Sequence, residues 1–258
     1  MDGTDSVAEI SGKKIFFLYP TVGVQNRIIA ELIQQEYEVY VAKNKDKLKK
    51  VLKNYPDSIV LIDINEHMPE KEWDLWITAL LEYSETRTVS IGILTSNEDE
   101  AIQRKYLMAL KVPCGYTVIR PDLEKTISHL VPALQTVNAK GRRKYIRATT
   151  ERDSNATINL PLGGSLVHGR IKDVSVVGIS CTLDGSPDIS KNTLLKDIQI
   201  KLQTHLLKVE GIAFGSRSEN METVYVILFT QRIDPDVRTK IHKYIQHNLQ
   251  SKMDFELN

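Results

Sequence analysis

The sequence predicts a two-part chain: an α/β domain with a doubly wound parallel sheet, followed by an all-β domain that ends in a helix. In the first part, short apolar runs alternate with segments whose apolar residues recur at helical spacing. Near Gly141 the pattern changes to consecutive strand-like segments separated by turn residues. The length of 258 residues is sufficient for two ordinary domains.

Five strands alternate with five helices in the first part, which we place at residues 13–137. The predicted strands are Ile15–Tyr19, Tyr37–Ala42, Ser58–Ile64, Val89–Thr95 and Gly115–Ile119. The predicted helices are Val24–Gln35, Asp46–Tyr55, Trp73–Tyr83, Glu98–Leu110 and Leu123–Val137. This alternation indicates a parallel sheet covered by helices on both faces.

Six strand-like segments and a terminal helix occupy the second part, residues 138–258. The predicted strands are Ala156–Leu160, Leu166–Val174, Gly178–Leu183, Leu195–Leu202, His205–Phe214 and Thr223–Thr230. Short strands with Gly, Pro, Asn and Asp between them favour an antiparallel barrel. Asp234 can cap the last helix, and Pro235 suits its first turn.

Composition excludes several classes of protein. The formal net charge is only +1, so bulk charge does not predict binding to nucleic acid or a membrane surface. The segment Met1–Lys14 is polar and lacks the pattern of a signal peptide, and no apolar run has the length of a membrane helix. Cys114 and Cys181 stand apart, which is typical of a reducing compartment, so we expect a cytoplasmic protein without membrane insertion.

Catalytic and metal-binding signatures are missing from the sequence. The six histidines are scattered, and no HExxH spacing occurs. Neither a GxSxG elbow nor a phosphate-binding P-loop is present. We therefore expect neither an enzyme nor a bound metal or cofactor.

A basic segment joins the two parts. Five cations lie between positions 140 and 147 without an intervening acid: Lys140, Arg142, Arg143, Lys144 and Arg147. A solvated linker is the ordinary interpretation of such a run. A guanidinium, however, offers a planar fork of donors that matches phosphate oxygens and the acceptor edge of guanine. Two such forks spaced four residues apart can hold an anionic nucleotide.

A second segment, Asp173-Val-Ser-Val-Val-Gly178, joins two predicted strands. Asp173 offers acceptors to a guanine N–H edge, Ser175 offers a short hydroxyl, and Gly178 permits close approach of a backbone. Taken alone, the segment is more typical of a plain turn between strands.

Together the two segments resemble the PilZ family, whose pattern is RxxxR near the domain start and (D/N)xSxxG one or two strands later. Here the motifs are Arg143-Lys-Tyr-Ile-Arg147 and Asp173-Val-Ser-Val-Val-Gly178, and the resemblance covers about residues 140–250. It implies a six-stranded barrel that binds cyclic di-GMP. It further implies that Arg143 and Arg147 contact phosphate and guanine, while Asp173, Ser175 and Gly178 form the facing wall.

An arginine directly before RxxxR often accompanies a stacked pair of ligands in this family. Arg142 occupies that place, so the resemblance implies two intercalated cyclic di-GMP molecules. The GGDEF and EAL signatures of cyclic di-GMP synthesis and hydrolysis are absent. This absence favours a receptor over an enzyme.

The first part resembles a response-regulator receiver domain. The resemblance rests on Pro56-Asp-Ser-Ile-Val-Leu-Ile-Asp63, Met68-Pro69, Ile93-Leu-Thr95 and Arg120-Pro121. It implies that Asp63 stands where receivers accept phosphate. Phosphotransfer also needs Mg²⁺ held by several oxygen ligands.

The acidic pair that receivers place after the first strand is missing here. That position is occupied by Leu18-Tyr19-Pro20, and no Asp or Glu occurs between Glu9 and Glu31. We therefore expect a receiver-like domain that is not phosphorylated and that serves as a docking or dimerisation surface.

These features predict a bacterial second-messenger effector that binds cyclic di-GMP and signals by a change in interdomain geometry. Its partner is expected to be an output protein, such as one of the motility or adhesion machinery. Two alternatives remain open: a protein–protein adaptor whose PilZ fold does not bind nucleotide, and a phosphorelay regulator that uses Asp63.

Overall fold

The computed structural model describes residues 12–65, 67–230 and 233–257, so most of the polar N-terminal stretch discussed above lies outside the described residues. The chain divides into two compact units. One extends to Lys144 and also includes the chain from Lys252 onward, and the other is Tyr145–Ser251. The first unit is α/β and the second is built mainly of antiparallel strands, which confirms the predicted fold class.

A five-stranded parallel sheet forms the centre of the first unit. Its strands are β1 (Ile15–Leu18), β2 (Val39–Ala42), β3 (Ile59–Asp63), β4 (Ser90–Thr95) and β5 (Tyr116–Val118). Their spatial order is β2-β1-β3-β4-β5, an order found in doubly wound folds. Every residue of β1, β3 and β4 is buried, as expected for a parallel sheet covered on both faces.

The helices of the first unit follow the predicted segments. They are α1 (Ala30–Gln34), α2 (Lys45–Leu52), α3 (Glu70–Glu82), α4 (Glu100–Arg104) and α5 (Leu123–Thr136). A π-helical segment, Val24–Ile29, leads into α1, and another, Lys105–Ala109, follows α4. The apolar spacing located both helices, but it does not distinguish one hydrogen-bond ring size from another.

Local capping fixes where α2 begins. The side-chain oxygen of Asn44 accepts hydrogen bonds from the backbone N–H groups of Asp46 (2.9 Å) and Lys47 (3.0 Å). These bonds satisfy donors that the first turn of a helix leaves unpaired. The apolar face formed by Leu48 and Leu52 is then fully buried.

A closed barrel forms the second unit. Its strands are β6 (Ala148–Thr149), β7 (Thr157–Leu162), β8 (Ser165–Ser175), β9 (Gly178–Leu183), β10 (Leu194–Leu202), β11 (His205–Glu219) and β12 (Glu222–Phe229). The antiparallel order β8-β7-β10-β11-β12-β9 closes because β9 also pairs with β8. The two-residue strand β6, which the sequence did not predict, adds to β8.

The first hairpin of the barrel differs from the sequence prediction. The turn expected at Pro161–Gly164 is narrower, because β7 continues through Leu162 and only Gly163 and Gly164 remain between the strands. Both glycines have positive φ angles (58° and 83°), as a tight two-residue hairpin requires.

The terminal helix α6 spans Pro235–Glu256. The Asp234 side chain accepts a hydrogen bond from the backbone N–H of Asp236 at 2.8 Å, as predicted for a cap. Within the described part of the chain, no helix combines the length and apolar character needed to cross a lipid bilayer.

Candidate ligand-binding site

The segment Asp173–Gly178 forms a tight hairpin between β8 and β9. Ser175 and Gly178 are paired across the two strands, with two residues between them. The buried Ser175 hydroxyl donates a hydrogen bond to the Gly178 carbonyl oxygen at 3.1 Å. The serine of the motif therefore stabilises the turn that positions its neighbours.

Gly178 lies where two strands approach each other closely. A Cβ atom at this position would be 2.4 Å from the Ile227 carbonyl oxygen on β12 and 3.1 Å from the Leu228 Cα. Those atoms belong to the backbone, so they cannot move aside without distorting β12. The glycine thus permits the close approach of β12, whereas the sequence alone showed only that some backbone could approach.

A β-bulge at Lys172 decides which way Asp173 faces. Ile171 is opposite Cys181, and Asp173 is opposite Ser180, so β8 uses two steps where β9 uses one. Ile171 and Cys181 are buried on the inner face. If β8 kept strict alternation through Lys172, Asp173 would face inward as Ile171 does.

The Asp173 carboxylate is held by two neighbours. The Ser180 hydroxyl donates to its Oδ2, and Arg147 Nη1 lies 3.9 Å from its Oδ1. The Arg147 side chain is 53% exposed and that of Asp173 is 25% exposed. Burial raises the pKa of the adjacent Cys181 thiol to about 12, and the negative charge of Asp173 adds to this rise.

Strand β6 positions Arg147. The residue directly precedes β6, whose Ala148 pairs with Val174 on β8. This pairing places the second arginine of the RxxxR motif beside the (D/N)xSxxG hairpin. The two motifs are about 25 residues apart in sequence, and strand pairing is the local reason that they meet.

A small pocket of about 50 Å³ lies over the hairpin. Four of the six predicted site residues line it: Arg147, Asp173, Ser175 and Gly178. The other two, Arg142 and Arg143, are exposed and belong to the first unit. The remaining lining residues are Val177, Ile179, Ser180, Arg217, Val226 and Leu228.

The sequence analysis missed Ser180 and Arg217. Ser180 could have been found, because it lies two residues after Gly178 on the same strand and therefore shares its face. Arg217 carries no such signal, because it reaches the pocket only through the pairing of β11 with β12. Val226 and Leu228 line the pocket with apolar surface, and they too reach it only through strand pairing.

The pocket offers three kinds of contact to a small molecule. Arg147 and Arg217 provide guanidinium donors, which suit phosphate or guanine acceptors. Asp173 provides an anionic acceptor, which suits N–H donors. Val226 and Leu228 provide apolar surface on which a flat ring can pack.

The second position singled out from the sequence, Asp63, lies at the end of β3 and is buried (1% exposed). Its Oδ1 accepts hydrogen bonds from the Asn65 backbone N–H (3.1 Å) and side-chain amide (2.7 Å). Asn65 in turn accepts a hydrogen bond from the Thr95 hydroxyl at 2.8 Å. Among the described residues, no group of three or more His, Cys, Asp or Glu could hold a metal ion.

Aromatic side chains lie at the end of β1, the position at which receivers carry their acidic pair. The Tyr19 ring stacks on His67 with centroids 3.8 Å apart and meets Trp73 edge-on at 6.1 Å. The Tyr19 hydroxyl accepts a hydrogen bond from the Lys45 backbone N–H at 3.2 Å. Side chains of the first unit itself therefore occupy the space around Tyr19.

The barrel and the pocket over its hairpin define a small β-barrel domain with a candidate ligand site. Residues 141–247 match the family model described as "PilZ domain". This part of the chain is a PilZ domain. No curated protein matches the chain in sequence.

Several solved structures resemble this part of the chain. The PilZ domain of YcgR from Escherichia coli with c-di-GMP is 13% identical, with a TM-score of 0.38, over 44% of this chain and 96% of that one. The Bacillus subtilis inhibitor of motility (MotI/DgrA) is 13% identical, with a TM-score of 0.37, over 44% and 52%. The K. pneumonia MrkH–c-di-GMP complex is 16% identical, with a TM-score of 0.35, over 46% and 53%. The chain thus aligns with about half the length of the latter two proteins.

Proposed function

We propose that the chain is an effector that binds cyclic di-GMP through its PilZ domain. The observation that carries the proposal is the pocket in which Arg147, the second arginine of RxxxR, meets Asp173, Ser175 and Gly178 of the hairpin motif. The match of residues 141–247 to the PilZ family supports the same ligand.

Each proposed contact follows from the chemistry of the side chain. Arg147 and the exposed Arg143 supply guanidinium forks for phosphate oxygens and for the O6/N7 edge of guanine. Asp173 accepts hydrogen bonds from the N–H edge of guanine. The 3.9 Å separation of Arg147 and Asp173 leaves their charges paired but not locked in a close hydrogen bond, so a ligand can insert between them.

The basic segment 140–147 gives the proposal its signalling step. Arg142 and Arg143 are exposed, and we expect this segment to fold over the nucleotide as it binds. Because the segment connects the two units, its ordering would change their geometry and the binding of an output protein, such as one of the motility or adhesion machinery. Arg142 would hold the second molecule of a stacked pair.

Isothermal titration calorimetry of the full chain with cyclic di-GMP tests the binding step. We expect saturable heat with two ligands per chain, and affinity losses of about 10- to 100-fold in Arg143→Ala and Arg147→Ala, since hydrogen bonds to charged groups contribute about 1.5–3 kcal/mol each. Arg142→Ala should reduce the stoichiometry to one.

A matched control is Arg120→Ala, which removes an exposed arginine with a loose ion pair to Glu98 (3.7 Å) in the other unit. Its affinity should equal that of the wild type. Absence of heat at high protein concentration, or equal affinities for Arg147→Ala and Arg120→Ala, would show that the proposal is wrong.

Small-angle X-ray scattering with and without the ligand tests the signalling step separately. Binding should change the pair-distance distribution of the full chain. An unchanged distribution at saturating ligand would refute the change in interdomain geometry and leave the binding step intact.

A further inference from the structure

The pocket over the hairpin opens beside a much larger cavity of about 510 Å³ on the same barrel. Three residues line both spaces: Asp173, Ser180 and Arg217. Pockets that hold small molecules typically enclose about 300–1,000 Å³, and the 50 Å³ over the hairpin is far below that range. A dinucleotide bound at the hairpin must therefore extend beyond it, and the larger cavity adjoins it at Arg217.

A second β-bulge, at Phe214 in β11, decides which way Arg217 faces. Ala213 pairs with Ile227, and both are buried on the inner face of the barrel. Beyond the bulge, Gly215 pairs with Val226, and Arg217 pairs with Val224. The extra residue thus moves Arg217 onto the opposite face from Ala213.

The strand register connects that face to the hairpin motif. Val226 pairs with Ser180 on β9, and Ser180 pairs with Asp173 on β8. Arg217, Ser180 and Asp173 therefore share one face of the sheet. Two separate bulges, one in β8 and one in β11, are required for this convergence.

The Arg217 guanidinium already holds an anion. Its Nε and Nη2 lie 3.2 Å and 3.1 Å from a single carboxylate oxygen, Oε2 of Glu219, two residues further along the same strand. Both side chains are about half exposed (53% and 45%), so solvent screens the pair and it is easily exchanged. A phosphate oxygen offers the guanidinium the same charge and acceptor geometry as this carboxylate oxygen.

We infer that Arg217 is a further phosphate-binding residue of the ligand site, placed where the hairpin pocket meets the larger cavity. This inference rests on the proposed function. Arg147 contacts the ligand from one side of the pocket, and Arg217 receives a phosphate on the other. Glu219 is the anion that the phosphate displaces, so it opposes binding.

The test is calorimetry with cyclic di-GMP on three variants of the full chain. Arg217→Ala should weaken binding about tenfold, as expected for the loss of one charge-assisted hydrogen-bonded contact. Arg217→Lys should give an intermediate affinity, because it keeps the charge and loses the fork. Glu219→Gln should strengthen binding severalfold, because it removes the competing carboxylate.

The expected changes in affinity have opposite signs for Arg217→Ala and Glu219→Gln. This difference distinguishes a ligand contact from a structural ion pair. If the pair only stabilised the β11–β12 hairpin, Glu219→Gln would weaken binding or leave it unchanged, and the inference would be overturned. Equal affinity of Arg217→Ala and the wild type would overturn it as well, while the losses in Arg143→Ala and Arg147→Ala would still support the proposed function.

Two measurements secure the interpretation. Arg238→Ala, an exposed arginine on α6, is the matched control and should bind as the wild type does. Thermal unfolding followed by circular dichroism shows whether a variant is folded. Should Arg217→Ala be unfolded, Arg217→Lys and Glu219→Gln decide the matter. A wild-type chain that does not bind cyclic di-GMP would remove both the proposed function and this inference.

Discussion

The two units each present a carboxylate beside a strand end, and they treat it in opposite ways. Asp63 in the first unit is buried and hydrogen-bonded to Asn65, which also accepts from Thr95. Asp173 in the second unit is partly exposed and faces Arg147 at 3.9 Å. A buried carboxylate that is hydrogen-bonded to a neighbouring residue has a structural role, whereas one beside an exposed cation can exchange its partner for a ligand.

The residues around the two carboxylates differ in the same way. Tyr19, His67 and Trp73 fill the sheet edge near the first carboxylate with aromatic rings. Arg217 and Arg147 leave solvent-accessible donors around the second. Asp63 and Asp173 both stand in segments that resemble a known motif. The contacts of each carboxylate, more than its place in a motif, therefore distinguish the two residues.

The largest expected effect is on ligand affinity. Asp173→Ala should weaken cyclic di-GMP binding about 10- to 100-fold, because the acceptor oxygens are lost. Asp63→Asn should leave the affinity unchanged, because that side chain lies in the other unit. Calorimetry on the two variants measures both effects, and a comparable loss in Asp63→Asn would break the comparison.

A glycine in each unit gives the next effect, on stability. Gly178→Ala should destabilise the barrel by about 1–3 kcal/mol, because its Cβ would meet the β12 backbone. Gly23 is helical, and a Cβ added there would have no atom within 4 Å, so Gly23→Ala should stabilise the first unit by about 0.5–1 kcal/mol. Scanning calorimetry resolves the opposite shifts, and a rise in melting temperature for Gly178→Ala would contradict the packing described.

Each unit also buries one thiol. Burial raises the pKa of both Cys114 and Cys181 to about 12 from an ordinary value near 9. The folded state therefore holds these protons more tightly, so their contribution to stability is complete below pH 9 and is lost as the pH rises toward 12. At pH 10 the loss is about 1 kcal/mol per thiol.

Urea unfolding between pH 7 and 10 measures this loss. Cys114→Ala and Cys181→Ala should each flatten the decline in one unit, and the fluorescence of Trp73 and Trp76 reports on the first unit alone because both tryptophans lie there. Identical pH profiles for the wild type and Cys114→Ala in that signal would contradict the assignment.

The smallest expected effect is phosphorylation of Asp63, for which we expect none. Acetyl phosphate with Mg²⁺ should add no mass to the peptide that contains Asp63, because no group of metal ligands accompanies it among the described residues. Mass spectrometry after digestion provides the measurement. A gain of one phosphate on Asp63 would favour the phosphorelay alternative and abolish the contrast between the two acids.

Patterns that act over a few residues predicted most of the fold. The continuous apolar run of β3 indicated a buried parallel strand, and Asp234 with Pro235 indicated the start of α6. Features that depend on a partner strand were not predicted. The pair Ala148–Thr149 is too short to show alternation, and it is a strand only because it lies along β8.

The residues of the candidate site also fall into two groups, those that a short pattern predicts and those that depend on a partner strand. The motif residues Asp173, Ser175 and Gly178 could be named from their spacing within six positions. Arg217 could not, because its approach to Asp173 depends on three strand pairings and two bulges. A single-sequence pattern carries no information on register between strands so far apart.

The bulge at Lys172 separates the spelling of the hairpin motif from the direction of its first side chain. If β8 kept regular alternation with Lys172 in place, Asp173 would lie on the inner face with Ile171. Its carboxylate would then point into an apolar interior, at a cost of several kcal/mol. A chain of the same length that carries both motifs but forms no bulge at this point would preserve the signature and lose the site.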